Sequence, residues 1–401
     1  MPETLMLPLK TVVFLVACCL VEKSSAVASA DDYKPVLCNS AKPYRGPALH
    51  PSPDTKVFTE AAGLLQESFD SNTVARLKKA VEIGLDKTKS PAITAAIGVP
   101  GKGFWSTTRT NGADREVPDL KFYWASAGKA FTAVAVMQLV EERKLKTDDP
   151  LSKWFPDFPN AKVITIDHLL THTSGIYSFQ NDPALRATPG YKPPETLIAV
   201  AKKRGNAFCP GEYWSYCNTG YVLLAQIIEE VEKRPFHEVL TRRVINRLGF
   251  KHTQALSPKA NLEGVAPAHP SKLEEAEKDF NFSTPFGAGC IVATAADMVR
   301  FWQALLAGQL LKPETVHSQF ARLYPMFGNG TFYGRGVMLY DVPTKEGGHA
   351  TWLGHSGGTD GIKAVIAYSV DAKAFVAVAL NADGSAEATA NLLLKALTTS
   401  P

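Results

Sequence analysis

The sequence predicts an α/β (α+β) architecture, an antiparallel sheet flanked by N- and C-terminal helices with a helical subdomain inserted between its strands. Three observations predict it. Two short strand-like runs lie close together at 92–99 and 104–110, strand-like runs return after about residue 335, and helical periodicity dominates the long stretch between. A sheet supplied by both ends of the chain closes by pairing those ends, with the middle folded out as a helical mass.

Taken in order, residues 31–56 (DDYKPVLCNSAKPYRGPALHPSPDTK) are proline-rich and aperiodic, so 31–71 reads as an N-terminal extension hugging the surface or mobile. From Asn72, the spacing of Val74, Leu77, Val81 and Leu85 predicts a helix. AITAAIGV (92–99) and FWSTTRT (104–110) then flank Pro100-Gly101-Lys102-Gly103, a hairpin signal. Helices are expected over 193–204, 219–234 and 295–308, with Gly308 as a C-cap. Strands follow at 335–341, 351–357, 362–370 and 375–380, and a last helix from Ser385 places Ala390, Leu393 and Leu397 on one face. The main domain is therefore drawn over 72–401, with an α/β part at about 72–125 and 309–401 and a helical part at about 126–308.

Of 401 residues, 45% are hydrophobic and 20% charged, an ordinary globular balance. A net charge of +4 spread along the chain offers no basic surface for nucleic acid. Beyond the N-terminus no tract has the ~20 apolar residues of a membrane span. Lys10, the apolar run TVVFLVACCLV (11–21) and Ala28-Ser29-Ala30 predict a secretory signal over 1–30, hence a secreted or periplasmic protein. Cys18, in LVAC, offers a second reading as a lipid-anchored cysteine. Cys38, Cys209, Cys217 and Cys290 remain after the signal, and their spacing leaves three pairings open.

The strongest chemical signal is WASAGKAFTAVAVMQLV (124–140). After Gly128 it is apolar on nearly every side, as in a helix buried in a core. Ser126 and Lys129 form the chain's only S-x-x-K. A serine hydroxyl is inert without a neighbouring base, and a lysine amine in a dry pocket accepts a proton more readily because burial disfavours the ammonium form. A helix N-terminus adds N–H groups where an oxyanion would form. The plainer alternative is a serine cap beside a surface lysine. Next, Tyr216-Cys217-Asn218 is a Y-x-N before a hydrophobic helix. A tyrosine beside a lysine can relay a proton, and an asparagine amide can hold a carbonyl. The alternative is a packed tyrosine with Asn218 as a cap.

GHSGG (354–358) matches the nucleophile elbow G-x-S-x-G with Ser356 in the serine place. The elbow needs a helix after it and a histidine later in the chain. Two strands follow instead, and no histidine lies between Gly357 and Pro401. His168 and His172 are spaced i, i+4, but Leu169 stands where H-E-x-x-H needs glutamate, so no metal is expected.

S-x-x-K, Y-x-N and a late H-x-G (His355-Ser356-Gly357) together resemble the motif series of the penicillin-recognising serine enzymes. The branch resembled comprises class C β-lactamases, D-alanyl-D-alanine carboxypeptidases and β-lactamase-like esterases. The resemblance covers about 72–398 and is supported by LVEERKLKTDDPLSKWFP, TIDHLLTHTSGI and FGAGCIVATAADMVRFWQALL. It implies a β-lactamase/transpeptidase-like fold and a serine acyl-hydrolase acting, without a cofactor, on small carboxylic esters or D-aminoacyl peptides; the alternatives are a class C-type β-lactamase and, from another class, a catalytically idle penicillin-binding sensor. Ser126 would be the nucleophile and Lys129 and Tyr216 its proton-transfer partners. Asn218, His355 and Gly357 would bind substrate, and the N–H groups of Ser126 and Gly358 would form the oxyanion hole. Ser356 becomes a spectator. His355 stands where lysine is usual in β-lactamases. An imidazole titrating near 6.5 should lose its hold on a substrate carboxylate between about pH 6 and 8. Cys217 is expected to be buried behind Tyr216 and inert.

Overall fold

The computed structural model describes residues 35–65, 68–111, 116–188, 190–271, 281–328, 330–344 and 348–398. The expected signal and Cys18 lie outside the described residues.

Eleven strands are described. They are β1 (Ala92–Val99), β2 (Gly103–Thr110), β3 (Phe122–Tyr123), β4 (Thr253–Ala255), β5 (Ile291–Ala293), β6 (Tyr324–Pro325), β7 (Thr331–Tyr333), β8 (Met338–Pro343), β9 (His349–Thr359), β10 (Ile362–Ser369) and β11 (Ala374–Leu380). Eight form one sheet in the order β2-β1-β11-β10-β9-β8-β7-β6, every described pairing antiparallel. Strands from early and late in the sequence meet one strand in from the β2 edge, where Ile93 of β1 pairs with Leu380 of β11 and Gly98 with Phe375. The remaining three form a small sheet in the order β3-β5-β4.

Both faces of the large sheet are covered, so its central strands are apolar throughout rather than alternating. Ile93, Ala95 and Ile97 of β1 and Val376, Val378 and Leu380 of β11 pack with Leu77, Val81, Ala390 and Leu393 from two outer helices, Ser71–Thr88 and Ala386–Thr398. Ala377 and Ala379 face the other way, into a core with Phe131, Phe301 and Trp302 of the Lys129–Glu141 and Ala295–Leu306 helices. Asp70 caps the first outer helix by accepting the Thr73 N–H, and Lys89 ends it at φ +54°.

The described part of the extension is bound to the surface by residues 36–45. Val36, Lys42 and Arg45 donate backbone N–H groups to the carbonyls of Asn206, Pro210 and Glu212, and a Cys38–Cys209 disulfide fixes the contact. A seven-residue helix, Thr55–Ala61, follows, with the Asp54 carboxylate accepting from Lys56 N–H at its start. Residues 35–45 thus cross the segment that leads into Tyr216.

Candidate active site

Ser126 sits in a 3-10 turn, Ala125–Gly128, between β3 and the Lys129–Glu141 helix. Ala125 has φ +44°, a left-handed conformation that costs a non-glycine residue ~1 kcal/mol or more. The turn holds because the Trp124 N–H donates to Ile291 and its indole N–H donates to Ala293, tying the approach to β5. Every residue from Lys129 to Leu139 is buried, so the all-apolar helix read from the sequence carries Lys129 into the interior.

Lys129 is fully buried. Its Nζ donates to Ser126 Oγ at 3.0 Å and to the Ala288 carbonyl at 2.6 Å. It also lies 4.9 Å from the ring centroid of Tyr216 and 5.5 Å from that of Tyr221. A buried lysine head group needs such partners, and aromatic faces are an acceptable substitute for water. Ala288 acts through its backbone. Every residue has a carbonyl, so no sequence signal could have marked it.

Tyr216 is half-buried, its ring 4.3 Å from that of His172 and near Trp214 and Phe327. Cys217, the cap residue of the Asn218–Glu232 helix, is buried and unpaired, and burial pushes its thiol up to about 11. Asn218 is the first helical residue. Its N–H donates to Ser178 Oγ at 3.0 Å and its amide donates to Gln180 Oε1. Its own Oδ1 has no partner among the described residues.

Alternation along β9 sends its motif to two sides. Gly357 faces the turn that carries Ser126. A Cβ there would lie 2.1 Å from the Trp124 carbonyl oxygen and 2.9 Å from the backbone nitrogens of Ser126 and Ala127. Gly358 follows, half-buried and paired with Lys363 on β10. Ser356 points to the opposite side, buried, with Oγ 2.6 Å from both Tyr340 Oη and Glu387 Oε1. That carboxyl is held above its usual range by burial.

His355 departs from the reading of a titrating, carboxylate-binding group. It is fully buried, and burial followed by the charge of Lys129 lowers its pKa to about 3. Its Nδ1 lies 2.6 Å from the Ser356 carbonyl and must carry the proton, so Nε2 accepts from Tyr333 Oη at 3.1 Å. The imidazole is neutral across pH 6–8.

The i, i+4 histidines do not share a helix face. The short helix is Ile166–Leu170. His168 Nδ1 accepts the Thr165 N–H in a capping box, whereas His172 lies past the helix end and binds the Cys217 N–H. The site also gathers groups not singled out from the sequence: the Ala288 carbonyl, Gln180, Tyr221 and Tyr333.

A buried S-x-x-K lysine on the serine, with Y-x-N beside it and a close-packed glycine strand behind, defines the serine penicillin-recognising class of site. The Beta-lactamase family model matches residues 77–399, and the chain belongs to that family. A Bacillus subtilis (strain 168) protein named as a penicillin-binding protein, PbpX, is 32% identical over 278 residues. That match spans 68% of this chain and 66% of the relative, just under two thirds of its length. Among solved structures, the D-amino acid amidase from Ochrobactrum anthropi SV3 superposes with a TM-score of 0.72 at 22% identity, over 82% of this chain and 99% of that one. The D-stereospecific amidohydrolase from Streptomyces sp. does so with a TM-score of 0.67 at 27% identity, over 81% and 99%.

Proposed function

We propose that the protein is a serine acyl-hydrolase that works through an acyl-enzyme on Ser126, with residues 72–401 as the hydrolase unit. The observation that carries this reading is the 3.0 Å contact between Lys129 Nζ and Ser126 Oγ, made by a lysine with no solvent exposure. Ser126 Oγ attacks the substrate carbonyl carbon while its proton passes to the Lys129–Tyr216 unit. The C–N or C–O bond then breaks, and the leaving group takes that proton. Water, activated by the same unit, cleaves the acyl–serine ester and restores the hydroxyl. The N–H groups of Ser126 and Gly358 receive the oxyanion, and Gly357 allows strand and turn to approach closely enough for that. Asn218, whose buried Oδ1 has no partner among the described residues, takes a donor on the substrate.

The substrate class is a D-aminoacyl amide or a small carboxylic ester. The D-stereospecific activity named for the Streptomyces structure supports the first. The neutrality of His355 supports a leaving group without a carboxylate, because a neutral imidazole offers no charge to hold one. Export fits the N-terminal pattern of 1–30 and the Cys38–Cys209 disulfide, which persists in oxidising compartments.

The test is a turnover panel of p-nitrophenyl esters, D-aminoacyl amides, a D-Ala-D-Ala peptide and a chromogenic cephalosporin, with mass spectrometry of the trapped adduct. An acyl group on the peptide carrying Ser126 is expected. Turnover with an adduct on any other residue overturns the reading.

A further inference from the structure

His172 adopts φ +60°, a left-handed conformation that few non-glycine residues enter, though histidine does so more often than most, in a segment with no glycine before Gly175. It is buried, and its Nδ1 accepts the Cys217 N–H at 3.1 Å. A neutral imidazole that accepts at Nδ1 carries its proton on Nε2. That Nε2 is also buried and finds no hydrogen-bond partner among the described residues. A strained backbone and an unsatisfied donor are two penalties at one residue, and both persist only where surrounding structure imposes them.

The return is at Tyr216. The His172 ring packs 4.3 Å from the Tyr216 ring, while its Nδ1 holds the peptide N–H of the next residue. The tyrosine is thereby gripped from its ring and from its backbone by one side chain. The imidazole also sits 4.4 Å from the Tyr333 ring, and Tyr333 holds His355. Burial, the Lys129 charge and His355 all keep His172 neutral, so it adds no second cation beside the lysine. The electrostatic setting of the proton-transfer unit is left to Lys129 alone.

We propose that His172 is the positioning residue of the proton relay: it sets the ring of Tyr216 so that its hydroxyl can deliver a proton to the leaving group. The inference rests on the acyl-hydrolase reading above, in which Tyr216 is the relay, and it can fail separately. An amine leaving group must be protonated as it departs, whereas p-nitrophenolate departs as the anion. Misplacing Tyr216 should therefore slow amide hydrolysis far more than p-nitrophenyl ester hydrolysis.

The experiment compares His172→Gly and His172→Asn, both compatible with a left-handed backbone, so that strain does not separate them. Asparagine keeps an acceptor near the place of Nδ1; glycine has none. The kcat for a D-aminoacyl p-nitrophenyl ester and for the matching amide is measured for each variant and for Tyr216→Phe. His172→Gly should lose ~10- to 100-fold on the amide and less than ~3-fold on the ester, with KM little changed, a range below the full contribution of a general acid. His172→Asn should recover a large part of the amide loss. His172→Gly/Tyr216→Phe should be no slower than Tyr216→Phe alone. Because the amide-to-ester ratio is taken on the same folded molecules, a drop in folded fraction does not move it. Equal losses on both substrates, or no recovery by asparagine, overturn the proposal while Tyr216→Phe still discriminates between leaving groups. If Tyr216→Phe itself shows no discrimination, the assignment of Tyr216 as relay falls, and this proposal with it.

Discussion

The Cβ that Gly357 lacks would stand 2.9 Å from the backbone nitrogen of Ser126 and 2.1 Å from the Trp124 carbonyl oxygen. Backbone atoms on both sides leave no flexible group to yield. Gly357→Ala should therefore push β9 away from the Ser126 turn, with an overpacking penalty of ~1–3 kcal/mol. In the proposed mechanism, ester turnover should fall by ~100-fold or more, because the Ser126 and Gly358 N–H groups assigned to the oxyanion would separate. Urea unfolding and turnover on the same preparation check both parts.

Ser126→Ala and Ser356→Ala should part company. The first should abolish turnover and covalent labelling. The second should keep most activity but destabilise the fold by ~1–3 kcal/mol, since it removes a hydrogen-bond partner from buried Glu387 and Tyr340. A dead Ser356→Ala beside an active Ser126→Ala would reverse the assignment.

In the proposed mechanism Lys129 and Tyr216 are one proton-transfer unit, and Lys129 Nζ lies 4.9 Å from the centroid of the tyrosine ring. The Lys129→Ala/Tyr216→Phe double variant should be little slower than the poorer single variant. Fully multiplicative losses in kcat would separate the two roles.

Burial and the Lys129 charge depress His355, and burial, Lys129 and His355 itself depress His172. Neither takes a proton in the fold until well below its unfolded value of ~6.5, so the unfolded chain binds protons first. Their contribution is intact above that pH and is lost as pH falls towards about 3 for His355. Both therefore make stability fall as pH drops below ~6.5. Urea midpoints from pH 7.5 to 4.5 should drop accordingly, and His355→Gln should make the decline shallower. Selectivity between carboxylate-bearing and neutral substrates, as a ratio of kcat/KM, should stay flat from pH 6 to 8.

The Cys38–Cys209 bond closes a long loop across the segment leading to Tyr216. Cys38→Ser/Cys209→Ser should lower stability by ~2–5 kcal/mol, read as a fall in Tm. Activity should fall more steeply with temperature than in the parent, because residues 209–216 lose their brace.

Much of this was legible in the sequence where a signal repeats over many residues. The all-apolar run after Gly128 marked a buried helix, and the hairpin at Pro100–Gly103 and the strands from 351 to 380 followed from β-branched alternation and turn residues. Two- and three-residue strands such as β3, β5 and β6 are too short to show a period. Ala288 contributes a carbonyl, and Ala125 and His172 contribute backbone angles, none of which a residue type declares. His355 was recognisable as a motif position, but its charge depends on burial beside Lys129, a relation made only by the fold.

The pairing of Ile93 with Leu380 has a consequence for how the molecule comes into being. Synthesis delivers β1 long before β11, so the seam between them cannot zip until the chain has been made as far as Leu380. β9, which braces the Ser126 turn through Gly357, also arrives late. Such distant pairings make folding slow. A nascent chain that has not yet reached β11 therefore lacks the seam beside which β9 meets the Ser126 turn, so the geometry of that turn is among the last features the fold acquires.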